Sequence, residues 1–537
     1  MRKYLSLFLL CALLLTGCGL GGSAEPTTAP APAGEGEAET VGGQGNLILT
    51  LGDDPATLDP PLIGDVSSAF LARQLFSGLV RLSDELEAVP DLAGEIKVSD
   101  DERVYTFLLR ADAAFADGTP ITADDVRWSL ERATDPATGP VVSATYLDDI
   151  DGALEKLDGQ ADSLKGLKVV DDRTLEITLR APSSLFLLKL TNPPSFVVDR
   201  RAVAKGDDWT ESPNGSGPFV IDSWEHRRRM ELVPNARYYG APAKLGRVTF
   251  LIGAEGANQL GLYENGDVDV AGIGSFDLDR VNNVADPLHG ELRETPQLAL
   301  TYLAFNVNEP PFDDPKVREA FSLLIDRNKL AEVSFNGTVA PGRGVLPPTM
   351  PGADPAKLPE PTADAERARQ LLAESSYGSA DKLPPIVGYT SSAGVSLLAQ
   401  IAKDELGVNV ELRSLDRFGS YLQALRENNY TMYDLSWIAD YPDPQNFLEV
   451  LFGANSPYNR SGYNNPEFES LIAKAKAEPD EAKRGQLYRE AEQLLMNDHV
   501  VIPLYHSTDF SLVKPYVDGL TITPLGILNL TGVSLRR

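Results

Sequence analysis

The sequence has few of the residues that hold metals or carry out redox chemistry. Its 537 residues include only two cysteines, Cys11 and Cys18, and four scattered histidines. The spacings HExxH, HxxEH and CxxC are absent, so we expect no conventional zinc or redox site. A phosphate loop of the form GxxxxGK[ST], a GxGxxG turn between strand and helix, and a GxSxG elbow are absent as well. The sequence therefore predicts no cofactor and gives no positive sign of catalysis.

Positive charge is scarce relative to negative charge. The chain has 48 Lys and Arg against 78 Asp and Glu, which gives a formal net charge of −30. Such an acidic surface repels phosphate groups, so nucleic acid is not expected as a partner. With 42% hydrophobic and 23% charged residues, the composition is that of an ordinary globular protein. The length indicates two or three domains.

The N-terminus has the features of an export signal. Arg2 and Lys3 precede an apolar run from Leu5 to Leu15, which is too short to span the ~30 Å hydrocarbon core of a membrane. The run ends in Leu-Thr-Gly-Cys at positions 15–18, which resembles a bacterial lipobox. The resemblance implies a lipoprotein signal peptide at 1–17 and lipidation of Cys18; an ordinary signal peptide with an incidental cysteine is the alternative.

A segment of low complexity follows the signal. Residues 18–45 are mostly Gly, Ala, Pro, Thr and Glu, with four glutamates and no lysine or arginine. Such a composition cannot bury enough apolar surface to offset the entropy of ordering it. We expect a flexible tether between a lipid anchor and the folded body.

Beyond residue 45, strand and helix patterns succeed one another in mixed order. Alternating apolar residues predict strands, and apolar residues at helical spacing behind Asp, Asn or Thr caps predict helices. Helix–strand alternation in the second half indicates an α/β fold. The main predicted strands are 46–51, 104–110, 174–179, 299–306 and 408–412, and the main predicted helices are 69–79, 365–375, 397–406 and 481–496. A hairpin of 219–223 with 230–233 is predicted after Pro218, and Thr122 is predicted to cap a helix with Asp125 at its third position.

One stretch suggests a ligand site. A short buried strand, 435–438, runs into a turn with two prolines, and Asp440 stands where the strand ends. The backbone is fixed at a strand end while the side chain stays accessible. A carboxylate beside the indole of Trp437 suits a ligand with a positive end and an apolar body. Alternatively, Asp440 only caps the turn and Trp437 is a core residue.

Five separated blocks together resemble the family-5 solute-binding proteins of ABC importers, the oligopeptide- and dipeptide-binding lipoproteins. The blocks occur in the order typical of that family and span the chain from about residue 45 to its end. They are Pro55–Pro60; Tyr105–Arg110 with Phe115–Val126; Gly215–Phe219 through Asn235–Gly240; Phe305–Asn306 with Pro311–Asp314 and Val317–Arg327; and Trp437–Phe447.

The resemblance implies an α/β, three-domain clamshell like that of periplasmic binding proteins, with two lobes joined by a two-crossing hinge that encloses ligand on closure. Domain I is expected from three segments, with domain II inserted near its start and domain III forming the other lobe. The expected boundaries are 46–76, 201–305 and 508–537 for domain I, 77–200 for domain II and 306–507 for domain III.

The resemblance also implies roles for particular residues. Asp440 corresponds to the acid that pairs with the α-ammonium of a peptide, and Trp437 is expected to line a side-chain pocket. The peptide backbone is expected to pair with two strands, Gly64-Asp65-Val66 and Ser436-Trp437-Ile438, in a mode that reads no side chains. Oligopeptide-binding members carry an arginine just upstream of the tryptophan, and this chain has none there. Arg343, Arg413 and Arg417 are candidate substitutes for the cation that meets the ligand carboxylate.

The prediction that follows is a lipid-anchored, non-enzymatic receptor outside the cytoplasm, at the cell surface or in the periplasm. It is expected to be a monomer that delivers peptides to an ABC permease powered by separate ATPase subunits. A same-family binder of an oligosaccharide or another small solute is the rival, since Trp437 could stack on a sugar ring. An exported glycoside hydrolase is the alternative of a different class, because 78 acidic residues include many carboxylate pairs.

Overall fold

The computed structural model describes residues 45–140, 142–253, 258–360, 362–390, 394–415, 418–427 and 429–536. The predicted signal peptide, Cys18 and the tether up to residue 44 lie outside the described residues. Contacts divide the chain into Met1–Thr40, which also lies outside them, and Val41–Arg537, which contains every element described below.

A mixed four-stranded sheet joins two distant parts of the chain. Its order is β1-β10-β9-β8. Strand β1 pairs in parallel with β10, with Asn46 opposite Arg247 and Leu51 opposite Ile252, while the other pairs are antiparallel. The strand predicted at 46–51 and the hairpin after Pro218 are both observed. The bounds are β1 Asn46–Leu51, β8 Phe219–Glu225, β9 Arg229–Pro234 and β10 Arg247–Ile252.

A second, antiparallel sheet has the order β4-β5-β7-β6. Its two central strands, β5 and β7, alternate between buried and more exposed side chains, as the half-buried pattern at 174–179 predicts. The buried face packs against helices from the same part of the chain. The bounds are β4 Ala93–Val98, β5 Val104–Leu109, β6 Leu167–Asp171 and β7 Thr174–Thr178, and a short pair precedes them, β2 Val80–Leu82 with β3 Ala88–Pro90.

The largest sheet has six strands in the order β14-β18-β13-β17-β15-β16. Every residue of β13 is buried, because each face of the sheet packs against its own hydrophobic core. Leu300 and Tyr302 enter one core, while Leu303 and Phe305 enter the other. The bounds are β13 Ala299–Phe305, β14 Ala340–Pro341, β15 Ile386–Thr390, β16 Val410–Ser414, β17 Met432–Ile438 and β18 Val501–His506.

Two small sheets complete the described strands. One has the order β11-β19-β12, and the other pairs β20 with β21. The bounds are β11 Val270–Gly272, β12 Leu292–Pro296, β19 Thr508–Val513, β20 Val517–Asp518 and β21 Ser534–Leu535.

Several helices begin at the predicted caps. Thr122 and Asp125 form a capping box, in which each side chain accepts a hydrogen bond from the other's backbone N–H, at 2.9 and 3.3 Å. The bounds are α1 Val66–Leu75, α2 Ala123–Ala133, α3 Ser143–Leu147, α4 Ala153–Leu157, α5 Phe186–Lys189, α6 Arg200–Val203, α7 Gln259–Asn265, α8 Ser275–Val281, α9 Pro315–Ser322, α10 Arg327–Phe335, α11 Ala365–Glu374, α12 Gly394–Leu406, α13 Phe418–Arg426, α14 Gln445–Phe452, α15 Pro466–Lys476 and α16 Glu481–Asn497.

Helix α1 differs from its prediction at both ends. It was expected at 69–79, but it begins at Val66 because the Asp65 side chain accepts the backbone N–H of Ser68 at 2.8 Å. It ends at Leu75, since Phe76 has an extended backbone (φ −125°, ψ 160°). In the part of the chain that the structure describes, no helix is both long and apolar enough to cross a membrane.

Candidate functional site

The site is built around the second half of β17, residues 435–438. On one side, β17 pairs with β13 along its whole length, from Met432 opposite Phe305 to Ile438 opposite Ala299. On the other side it pairs with β15 only at Met432 and Tyr433. Within the described ranges, residues 435–438 have no strand partner on that side, so their backbone N–H and C=O groups can accept an added strand.

The side chains of β17 alternate between its two faces. Trp437 is half-buried and packs edge-on against Tyr458, with ring centroids 5.2 Å apart. Ser436 is exposed, and its hydroxyl lies 2.8 Å from the hydroxyl of Thr301 on β13. Trp437 is therefore neither a simple core residue nor fully open, because one edge of its ring is already covered by Tyr458.

A buried amide, Asn446, holds Trp437 and Asp440 together. It lies in the first turn of α14 and is completely buried. Its Oδ1 accepts the indole Nε1–H of Trp437 at 2.8 Å and the backbone N–H of Asp440 at 3.1 Å, and its Nδ2 donates to Oδ2 of Asp440 at 3.1 Å. The sequence interpretation missed Asn446. The available signal was a polar residue on a helix whose other residues are mainly apolar.

Three distant parts of the chain meet at the Asp440 carboxylate. Tyr146 of α3 and Arg73 of α1 both act on its pKa and so lie within electrostatic range of it. Arg73 is oriented by its own hydrogen bond to Oδ1 of Asn192, at 3.0 Å. These contacts place Asp440 in a polar pocket made by both halves of the chain, which a mere turn cap would not require.

The groups around Asp440 compensate the negative charge of its carboxylate only in part. Burial raises the pKa of its carboxyl above the ordinary value of 3.8. The hydrogen bond from Asn446, the hydroxyl of Tyr146 and the charge of Arg73 lower that pKa but offset only part of the effect of burial. A cationic group in contact with this carboxylate would therefore be stabilised.

The next residue along the chain, Tyr441, packs into a different hydrophobic core from the residues of β17. It is completely buried in a core whose other buried members come from residues 79–197. Its hydroxyl donates to Oε1 of Gln445. Tyr441 thus fixes the loop after β17 against the part of the chain that supplies Tyr146.

The sequence predicts an extended strand at Gly64, Asp65 and Val66 that pairs with the ligand backbone. This prediction is wrong at Val66, because α1 begins there. Asp65 is the N-cap, which is why the backbone turns helical there. All three residues are exposed, and the strands that pair with β17 are β13 and β15. Val66 and Arg73 lie on the same helix, separated by about 10 Å along its axis. Gly64-Asp65-Val66 therefore lies at the start of the helix that carries Arg73, and its binding role stays a prediction.

Two candidate cations for a ligand carboxylate are paired locally. Arg343 forms an ion pair with Glu360 at 2.7 Å, and Arg413 with Glu411 at 2.9 Å. Arg417 lies outside the described residues.

Two further arginines act on the tyrosines around Trp437. Arg460 and Arg426 both act electrostatically on Tyr458, whose pKa is raised to about 12, chiefly by burial. Arg460 also acts on Tyr302 and Tyr430. Neither position is among the candidate cations that the sequence interpretation selected. Among the described residues, no group of three or more His, Cys, Asp or Glu side chains could hold a metal ion.

Known proteins resemble this chain over nearly its full length. Residues 87–459 match the family model of bacterial extracellular solute-binding proteins, family 5 Middle. The periplasmic murein peptide-binding protein MppA of Escherichia coli is 32% identical, with 95% of each chain covered. The periplasmic oligopeptide-binding protein OppA of the same organism is 32% identical over 90% of this chain and 91% of its own. The solved structure of the E. coli murein tripeptide-binding protein MppA has a TM-score of 0.80 at 30% identity, covering 91% of this chain and 98% of its own.

The mixed α/β fold and the enclosed site define a clamshell binding protein, as the sequence predicts. Its relatives are solute-binding proteins, so the chain is not an enzyme and the glycoside hydrolase alternative is not supported. The chain belongs to the family-5 bacterial extracellular solute-binding proteins.

Proposed function

We propose that this protein captures peptides and delivers them to an ABC permease. The observation that carries the proposal is the Asp440 carboxylate, enclosed with Asn446 and Tyr146 beside the unpaired edge of β17. The relatives named as murein peptide-binding and oligopeptide-binding proteins support the same class of ligand.

The peptide's α-ammonium pairs with Asp440. A primary ammonium supplies three N–H donors and the positive charge that the buried carboxylate lacks. Asp440 is half-buried and burial already raises the pKa of its carboxyl, so part of the cost of burying its charge is met before the ligand arrives. The charge-assisted hydrogen bond is correspondingly strong.

The peptide backbone lies along residues 435–438 of β17 as an added strand. Each such backbone hydrogen bond contributes about 0.5–1.5 kcal/mol and depends on no side chain. Trp437 borders the strand and contacts the ligand's first side chains. The exposed N-terminal end of α1, at Gly64, Asp65 and Val66, forms the opposite wall.

The peptide's carboxylate is met by Arg460 or Arg426. Both act on Tyr458, which packs against Trp437, whereas Arg343 and Arg413 are engaged by neighbouring acids. A guanidinium suits this role because its planar N–H groups match the two oxygens of a carboxylate.

The remaining parts of the proposal concern location and assembly. The protein is a monomer anchored to the membrane through lipid on Cys18, after removal of residues 1–17, with 18–45 as the tether. Domain I consists of 46–76, 201–305 and 508–537, domain II of 77–200 and domain III of 306–507. Separate ATPase subunits supply the energy for transport.

Ligand analysis tests the proposed function. The purified protein is denatured and refolded to remove cargo, the cargo is identified by mass spectrometry, and binding is measured by calorimetry. A free-amine tripeptide such as trialanine should bind with 1:1 stoichiometry, and its N-acetylated form should bind more weakly. Binding of a cello-oligosaccharide but of neither peptide would contradict the proposal and favour the sugar-binding rival.

A further inference from the structure

A cavity of about 520 Å³ lies beside the hydrophobic core that Trp437 also borders, since its lining residues Leu82 and Ile527 pack against that core. Its lining comes from segments 73–82, 90–91, 191–196, 238–244 and 527–532, together with Arg110 and Pro218. None of these residues belongs to 306–507, the segment that carries Asp440. The volume is typical of sites for small organic molecules.

The charges that line the cavity are mostly positive. Among the described residues of its wall, Arg73, Arg81, Arg110 and Lys244 are cationic, and Asp91 is the single acid. Asp91 is buried, and its Oδ1 accepts the hydroxyl of Tyr239 at 2.6 Å. The excess of cations in a protein with a net charge of −30 is a local reversal of sign that favours an anion.

Among the described residues, two of these cations form no ion pair with a carboxylate, although Arg81 acts electrostatically on Asp91. Arg110 pairs with Asp112 at 3.1 Å. In the part of the chain that the structure describes, by contrast, no carboxylate forms an ion pair with Arg81 or Lys244, although both are exposed to the cavity. These two side chains are therefore available to a ligand.

Aromatic and apolar side chains form a further part of the wall. The guanidinium of Arg110 lies 5.1 Å from the ring centroid of Tyr239, whose ring centroid lies 4.9 Å from that of Tyr238. The apolar side chains are Phe76, Val80, Leu82, Phe196, Ile527 and Leu528, and the uncharged polar ones are Gln74, Ser77, Thr191, Asn529 and Thr531. A bound molecule would thus meet both positive charge and apolar surface in one cavity.

We propose that this cavity is a binding site for a small organic anion, which borders the peptide site at Arg73 but binds its own ligand. The anionic group, a carboxylate or a phosphate, faces Arg81 and Lys244. The apolar body lies against the aromatic and aliphatic wall. Arg110 and Arg73 supply additional positive potential from the sides.

Calorimetry at low ionic strength tests the proposal on full-length protein freed of cargo. The probes are 4-phenylbutyrate, phenyl phosphate, inorganic phosphate and the cation 4-phenylbutylamine. We expect at least one organic anion to bind at 1:1 stoichiometry, more tightly than inorganic phosphate and the amine. The double variant R81A/K244A should weaken that binding about tenfold or more, because it removes both charged contacts.

A matched double variant controls for the loss of surface charge. R369A/K382A removes one arginine and one lysine from exposed positions far along the sequence from the cavity and should leave probe affinity unchanged. Failure of all three anions to bind, equal binding of the amine, or an equal loss in both double variants would overturn the proposal. Binding of inorganic phosphate as tightly as phenyl phosphate would overturn the role of the apolar wall.

Competition with peptide distinguishes this site from the peptide cleft. The probe should bind equally well in the absence and presence of saturating trialanine. Displacement of the probe by peptide would show that the cavity is part of the peptide site, and the separate anion site would be wrong. If trialanine fails to bind while the probe binds, the proposed peptide function fails and the anion site stands.

Discussion

Replacing Asp440 by asparagine tests the central electrostatic claim. The substitution keeps the size of the side chain and one oxygen, but it removes the negative charge. Asn446 donates to Oδ2 of Asp440, so the new amide keeps that bond by placing its oxygen there and turns its NH₂ group toward the ligand. The ammonium of a peptide then faces a neutral or repulsive dipole in place of a carboxylate.

The magnitude follows from the kind of contact that is lost. A hydrogen bond to a charged group contributes about 1.5–3 kcal/mol, which corresponds to a loss of about 10- to 150-fold in affinity. A free-amine tripeptide should show this loss. Its N-acetylated form has no charge to offer and should bind the variant and the wild type with nearly equal affinity.

Isothermal titration calorimetry at pH 7 measures both peptides on both proteins. Asp381→Asn is the matched control, because it makes the same chemical change at an exposed position and should leave both affinities unaltered. A thermal melt confirms that each variant is folded. Unchanged affinity for the free-amine peptide in the Asp440 variant, or an equal loss for both peptides, would refute the pairing of Asp440 with the α-ammonium.

Further consequences can be measured independently. Because a bound ammonium lowers the raised pKa of Asp440, affinity for a free-amine peptide should fall as pH decreases through that pKa, and a flat profile down to pH 4 would contradict this. Asn446→Ala leaves the indole N–H of Trp437 and the Asp440 N–H without their acceptor and should lower the free energy of unfolding by about 1–3 kcal/mol in urea titrations; no loss would show that the amide is dispensable. Glu492 is buried, with its pKa raised from 4.5 to about 7. The folded protein therefore holds this proton more tightly than the unfolded chain, so the free energy of unfolding of the wild type should decline by roughly 3 kcal/mol as pH rises from 4.5 to 7. Glu492→Gln should abolish that decline, and a parallel pH profile in the variant would argue against it. Cys18→Ala should release the protein from membranes into the soluble fraction, whereas retention without a lipid label would exclude the lipid anchor.

The amino-acid sequence by itself determined the local elements and the class of protein. The capping box at Thr122 and Asp125, the alternation of β1 and the hairpin after Pro218 each depend on residues a few positions apart, and each is observed. Family membership was predictable for a related reason, because its blocks are short local patterns that occur in a recognisable order.

Only the tertiary structure decided which residues surround Asp440. Asn446, Tyr146 and Arg73 meet there because β17 enters the centre of a six-stranded sheet while Tyr441 packs into a core formed by residues 79–197. Contacts between residues so far apart depend on strand pairing and on core packing, which local periodicity does not encode. The same limit explains the error at Val66. Its extended conformation was expected from the predicted pairing with a ligand, whereas the side chain of Asp65 starts a helix there.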